Sequence, residues 1–242
     1  MEKKSIYISI YMQRSSTKCI LTDPRSATVS NGAYQMKSIN TQSVSIPITQ
    51  SSPDTRTTKG NLYGSGYMAI IFSNMDTNDQ SEWDPIVNGL ISDRCMILTY
   101  DYFQHMDDQS RTLEAAISFV CDSGAKKIIL IGASRGGVAS IKVAARHISN
   151  DCIAGVVAFS APIKYEGTVF YRKDELSRIK IPKLLINSEN DDGANDTRKM
   201  FEIFDDPKEL LFYPGDAHGT ELLDKERESI LEKLQDFIAA AF

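Results

Sequence analysis

The sequence predicts an α/β fold, a mostly parallel eight-stranded sheet flanked by helices on both faces. Three observations carry that expectation. Short aliphatic and β-branched runs recur from about residue 43 to the C-terminus, stretches of helical periodicity separate them, and one run ends in a glycine-rich turn that leads at once into a helix. Strands alternating with helical patterns mark parallel strands joined by crossover helices.

Taken in order, residues 13 to about 42 are rich in Ser, Thr, Asn and Gln without periodicity. They read as part of a loosely structured N-terminal extension, residues 1–42, ahead of a single domain over residues 43–242. The strand candidates are "SVSIPI", "TKGNLYG", "YMAIIFS", "CMILTYD", "KKIILIG", "IAGVVAF", "KLLINS" and "ELLFYP". Among the helical stretches, "RTLEAAISFVCDSG" places Leu113, Ala116, Ile117 and Val120 at i, i+3, i+4, i+7, with Gly124 set to end the helix. The final stretch, "KERESILEKLQDFIAAAF", repeats the pattern with Ile230, Leu234, Phe237 and Ile238. Between "IAGVVAF" and "KLLINS" only a short helix, "KDELSRI", finds room, so any cap over the sheet is minimal. No internal repeat divides the chain.

Composition narrows the function classes. Of 242 residues 42% are hydrophobic and 24% charged, an ordinary globular balance. With 27 basic and 32 acidic residues mixed along the chain, no basic face offers itself to nucleic acid. No apolar run reaches the roughly 18 residues of a membrane span. "MEKKSIYISIYMQR" faintly echoes a signal peptide, but Gln13 and Arg14 interrupt it and no A-x-A site follows, so a cytoplasmic location is expected. Cys19, Cys95, Cys121 and Cys152 form no C-x-x-C pair, which argues for reduced thiols over a zinc site or a disulfide framework.

Chemistry concentrates around Ser134. Gly132-Ala133-Ser134-Arg135-Gly136 fits G-x-S-x-G at the end of a strand, where small residues on either side let the chain turn tightly and lift the serine hydroxyl above the sheet. A glycine-rich connection holding an incidental serine has the same sequence. From about residue 43 onward the chain resembles the α/β-hydrolase fold, nearest in pattern to small dienelactone-hydrolase-like serine esterases. That resemblance implies a fixed order of serine, acid and histidine along the chain. His218, in "YPGDAHGTELL" after the last strand, falls where the general base belongs. The acid belongs after "KLLINS", in "ENDDGAND", where Asp191 matches the family pattern and Asp192 is the alternative. The resemblance further implies an oxyanion hole built from the backbone amides of Arg135 and Met75. At the latter loop many relatives carry His-Gly where this chain has Ser73-Asn74.

The implied activity is cleavage of a small to medium carboxylic ester or thioester through an acyl-enzyme, with no cofactor. A peptidase or amidase on the same fold, or a catalytically slow ligand-binding scaffold, are the alternatives. Asn74, Arg135 and Tyr165 are candidate contacts for a small acyl substrate. Arg135 equally suits an ion pair within the protein, and Tyr165, with Phe170 and Tyr171, equally suits shielding of the sheet. His105 borders the site, and His147 suits the C-terminus of the helix after Ser134. Trp83 is expected to pack its helix on the sheet. "GSGYMA" mimics a dinucleotide fingerprint but precedes a strand, so it reads as a turn. Ser188, Asn190, Asp192 and Gly193 mimic a calcium loop, but its twelfth position is Lys199, which excludes that reading. No metal site is expected.

Overall fold

The computed structural model of the chain describes residues 41–48, 56–92, 94–103, 109–147 and 152–242. Residues 1–40, which hold most of the expected extension, and His105 lie outside the described residues.

The elements run β1 (Thr41–Ile48), β2 (Arg56–Tyr63), β3 (Met68–Ser73), α1 (Asp84–Leu90), β4 (Cys95–Tyr100), α2 (Ser110–Asp122), β5 (Lys127–Ala133), α3 (Arg135–Arg146) and β6 (Ile153–Phe159). They continue as β7 (Lys164–Tyr165), β8 (Thr168–Val169), α4 (Lys173–Ser177), β9 (Lys183–Ser188), α5 (Ala194–Ile203), β10 (Lys208–Tyr213) and α6 (Leu222–Ala241). Eight strands form one sheet in the order β1-β2-β4-β3-β5-β6-β9-β10. β1 and β2 are antiparallel to each other, and β2 is antiparallel to β4. All later pairings are parallel. Each of the eight expected strands is present, and β1 begins two residues before the expected domain start.

Both faces of the sheet are covered, which explains why its central strands read as continuous aliphatic runs. Every residue of β3, β4 and β9 is buried. Alternation sends successive side chains to opposite layers. Ile71, Ile128, Leu130 and Leu185 meet α2 and α3 through Leu113, Ala116, Val138 and Ile141. Ile70, Phe72, Ile129, Ile131, Leu184 and Ile186 meet α1 and α6 through Ile86, Val87, Ile230, Leu234 and Phe237. Trp83, fully buried in the 3-10 turn before α1, lies 4.8 Å from the Phe72 ring and 5.7 Å edge-on from Phe159. It joins helix to sheet as expected. The "GSGYMA" segment is a turn into β3, with Gly64 at φ 67°.

Only the two-residue strands β7 and β8 and the five-residue α4 separate β6 from β9, so the segment that forms large lids in other proteins is short here. Among the described residues no helix is long and apolar enough to cross a membrane. Cys95 is buried, and Cys121 and Cys152 are half-buried. Linear spacing hid one relation among them: the Cys121 and Cys152 sulfurs lie 3.6 Å apart. Burial and the neighbouring thiol push the Cys121 sulfhydryl up to about 11.

Candidate active site

The site is built at the carboxyl ends of β3, β5, β6, β9 and β10, the edge where open parallel sheets gather their ligands. Ser134 stands between β5 and α3 with φ 49° and ψ −113°, a region that a residue with a Cβ occupies only under strain. Its N–H extends the ladder to Phe159 O at 2.7 Å, and its carbonyl accepts the Val138 N–H at 2.9 Å, opening α3. The flanking glycines are required by close approach. A Cβ on Gly132 would lie 2.3 Å from Gly136 O, and one on Gly136 would lie 2.2 Å from Ser73 O. The turn thus presses the start of α3 against the loop after β3. Ser134 is half-buried, and its hydroxyl has no hydrogen-bond partner among the described residues.

Asp191 and His218 are brought together from either side of β10. His218 Nδ1 lies 2.5 Å from Asp191 Oδ2, and the carboxylate partner assigns the proton to Nδ1 and leaves Nε2 as the basic nitrogen. The Asp191 side chain is 2% exposed and the imidazole 41%. Oδ1 of Asp191 accepts from Gly193 N at 2.6 Å and Asn187 Nδ2 at 3.3 Å. Burial opposes ionisation of this carboxyl. The hydrogen bond and charge of His218, with the two further donors, outweigh burial and hold it below the ordinary range. The hydrogen bond to Asp191 raises His218 above its ordinary value against the effect of burial, with the charges of Asp191, Glu221 and Asp192 adding to the rise. Of the two candidate acids, Asp191 holds the histidine.

The loop after β3 closes the edge. Ser73 Oγ and Tyr100 Oη are 2.8 Å apart, and Asn74 Nδ2 donates to Tyr100 O at 2.8 Å. Thr220 N donates to Met75 Sδ at 3.4 Å, tying this loop to the one that bears His218. The loop after β3 and the N-terminus of α3 therefore meet at the edge where Ser134 stands, and the first amides of a helix lack intrahelical acceptors.

Two candidate substrate contacts have partners within the protein. The Asn74 side chain is fully buried, with Nδ2 donating to Tyr100 O. Arg135 Nη1 is 3.1 Å from Asp76 Oδ1, an ion pair that spans the elbow and the β3 loop. Tyr165 is 61% exposed on β7, while Tyr171 joins the core. His147 caps the C-terminus of α3 as expected. Among the described residues no group of His, Cys, Asp and Glu is arranged to hold a metal.

Sequence reasoning missed Ser160, Asn187 and Asp76. The signal for Ser160 was its place, since it comes after β6 as Ser134 comes after β5.

The chain has the α/β-hydrolase fold. Solved structures that share it include the dienelactone hydrolase of Anabaena variabilis, 17% identical with a TM-score of 0.69 over 84% of this chain and 99% of that one. The esterase domain of a Rhodothermus marinus protein is 16% identical with a TM-score of 0.66, over 83% and 98%. An esterase of Pyrococcus furiosus is 18% identical with a TM-score of 0.66, over 87% and 96%. No protein-family model matches the sequence, and no curated protein does.

Proposed function

We propose that the protein is a serine hydrolase that cleaves a small to medium carboxylic ester or thioester through an acyl-enzyme. The observation that carries this reading is the strained, half-buried Ser134 on the same sheet edge as the His218–Asp191 pair. Fold neighbours described as dienelactone hydrolase, esterase and monoacylglycerol lipase lend support.

In this mechanism the Ser134 hydroxyl attacks the acyl carbonyl as His218 Nε2 takes its proton, and Asp191 orients the ring and stabilises its charged form. The Arg135 and Met75 amides receive the oxyanion, each such donor contributing about 3 kcal/mol to the transition state. His218 returns the proton to the leaving group. Water, activated by the same nitrogen, then releases the acid. The chemistry asks for no cofactor.

A ligand-binding scaffold is the second reading, favoured by Ser73-Asn74 in place of His-Gly beside the oxyanion site. Labelling with a fluorophosphonate, with a short-chain nitrophenyl ester assay on wild type and Ser134→Ala, separates the two. Labelling and hydrolysis that vanish together in the variant support the hydrolase. A wild type that does neither supports the scaffold.

A further inference from the structure

Ser160 comes directly after β6, holds φ at 47°, and is 1% exposed. Its hydroxyl is used twice. It accepts from Gly219 N at 2.9 Å and donates to Asn187 Oδ1 at 2.7 Å. Asn187, fully buried in β9, donates through Nδ2 to Asp191 Oδ1 at 3.3 Å and to Thr197 Oγ1 at 2.9 Å. Asp191 meets His218 through its other oxygen, and His218 is bonded covalently to Gly219. The path closes on itself: Gly219 to Ser160, Asn187, Asp191, His218 and back.

We propose that Ser160 is a positioning residue whose hydroxyl closes this buried ring and thereby fixes the imidazole of His218 against Asp191. The proposal rests on His218 and Asp191 acting as base and acid. The chemistry favours it over a purely structural serine. A hydroxyl is the smallest group that both donates and accepts at one atom, and here its two partners belong to the acid's strand and the base's loop. Without it the buried Gly219 N–H loses its acceptor, and Asn187 Oδ1 keeps only the Ser188 N–H at 2.8 Å. The loop that bears His218 then keeps Ser188 Oγ on Ala217 O and the Thr220 contacts to Met75 and Glu82 but loses its tie through Ser160, and a catalytic group displaced by about 1 Å loses on the order of 10²-fold in rate. The strained backbone supports the same conclusion, since Ser160 keeps a conformation that glycine would hold more easily.

Ser160→Gly tests it, because glycine tolerates the backbone angle while the hydroxymethyl group that closes the ring is removed. The expected result is a ~10- to 100-fold loss of kcat with KM little changed. The His218 ring, read by NMR titration and assigned through His218→Gln, should titrate lower, toward the ordinary value near 6.5. The charged groups that raise its pKa, Asp191, Asp192 and Glu221, are untouched. Thr197→Val, which removes the outer bond to Asn187 together with a longer one to Gly193 O, should give a smaller shift in the same direction. Unchanged kcat and unchanged titration overturn the proposal. So does a loss of kcat and thermal stability with the His218 titration fixed, which marks Ser160 as structural only. Should Ser160→Gly fail to fold, a null result in Thr197→Val overturns it. The NMR reading does not depend on activity: an inert wild type whose His218 still shifts in the variants counts against the hydrolase and leaves the ring standing.

Discussion

Ser134 and Ser160 end neighbouring parallel strands with nearly the same backbone, φ 49° and 47°, and each passes its N–H to the next strand, at Phe159 O and Ile186 O. Beyond the two serines the chain diverges. After Ser134 come Arg135, Gly136 and Gly137 and a helix of twelve residues, and the hydroxyl stays half-buried with no partner among the described residues. After Ser160 come Ala161 and Pro162 and a small hairpin, and the hydroxyl is enclosed by two hydrogen bonds. On the proposed reading one strained turn presents a nucleophile and the other holds its base and acid in place. Backbone strain marks a functional edge but does not say which role each residue plays. The partners of the side chain decide that.

The sharpest way to break the comparison is to remove each hydroxyl in turn. Ser134→Ala should lower kcat on the order of 10⁶-fold without moving the thermal midpoint, a far larger change than any at Ser160. Comparable losses at the two positions, measured with one ester under one set of conditions, would erase the distinction drawn between them.

Asp191→Asn comes next, with an expected loss on the order of 10⁴-fold. It also changes the pH profile. His218 must be neutral to act as base, and its folded-state pKa is raised by Asp191, so activity should fall as pH drops through a value above 6.5. Without the carboxylate that limb should move to lower pH while the plateau drops. Stability carries the opposite sign at this group. A raised histidine contributes stability that is complete below pH 6.5 and is lost as pH rises through the folded value. The lowered Asp191 contributes stability above its ordinary pKa that is lost as pH falls through its depressed value. An acid limb that stays in place in Asp191→Asn would show that another group raises His218.

Gly136→Ala should cost about 3 kcal/mol, since its Cβ would sit 2.2 Å from a backbone oxygen of Ser73 that has no rotamer to relieve it. Thermal denaturation reads this directly. A change below ~0.5 kcal/mol would mean that the elbow and the β3 loop are not in rigid contact.

Much of this architecture was legible in linear order because it is periodic or local. The buried runs gave the eight strands, and the spacing of Leu113, Ala116, Ile117 and Val120 gave α2. The start of α6 at Leu222 came three residues before the pattern suggested, because the 3-10 turn after His218 runs straight into it. The fold's chain order pointed to Asp191 and His218, which the structure brings to 2.5 Å. The Ser160 ring was hidden because it depends on the register of β6 against β9, where Phe159 pairs with Ile186 and sets Ser160 beside Asn187. The inward turn of Asn74 depends on Tyr100 of a strand beyond it, and the pairing of Arg135 depends on Asp76, 59 residues away. The charge of Lys183 inside the "KLLINS" run is explained only in three dimensions. Its ammonium is buried on the carbonyls of Ile179 and Ile181, and burial brings it down to about 8.

The smallest expected effect concerns the pair that bridges the two loops of the site. Arg135 and Asp76 are 41% and 70% exposed, so their attraction contributes only ~0.2 to 1 kcal/mol, and Asp76→Ala should barely change stability. Its consequence for substrate is more specific. With Asp76 gone, the Arg135 guanidinium loses the carboxylate it pairs with across the elbow, and the positive field it offers a carboxylate on the substrate is strengthened. KM for an ester carrying a carboxylate should then fall about threefold at low salt, with no change for a neutral ester of the same size, and the difference should fade as ionic strength rises. Equal KM values for both esters would mean that the arginine points away from the acyl group, and its part in the site would reduce to fastening the elbow to the β3 loop.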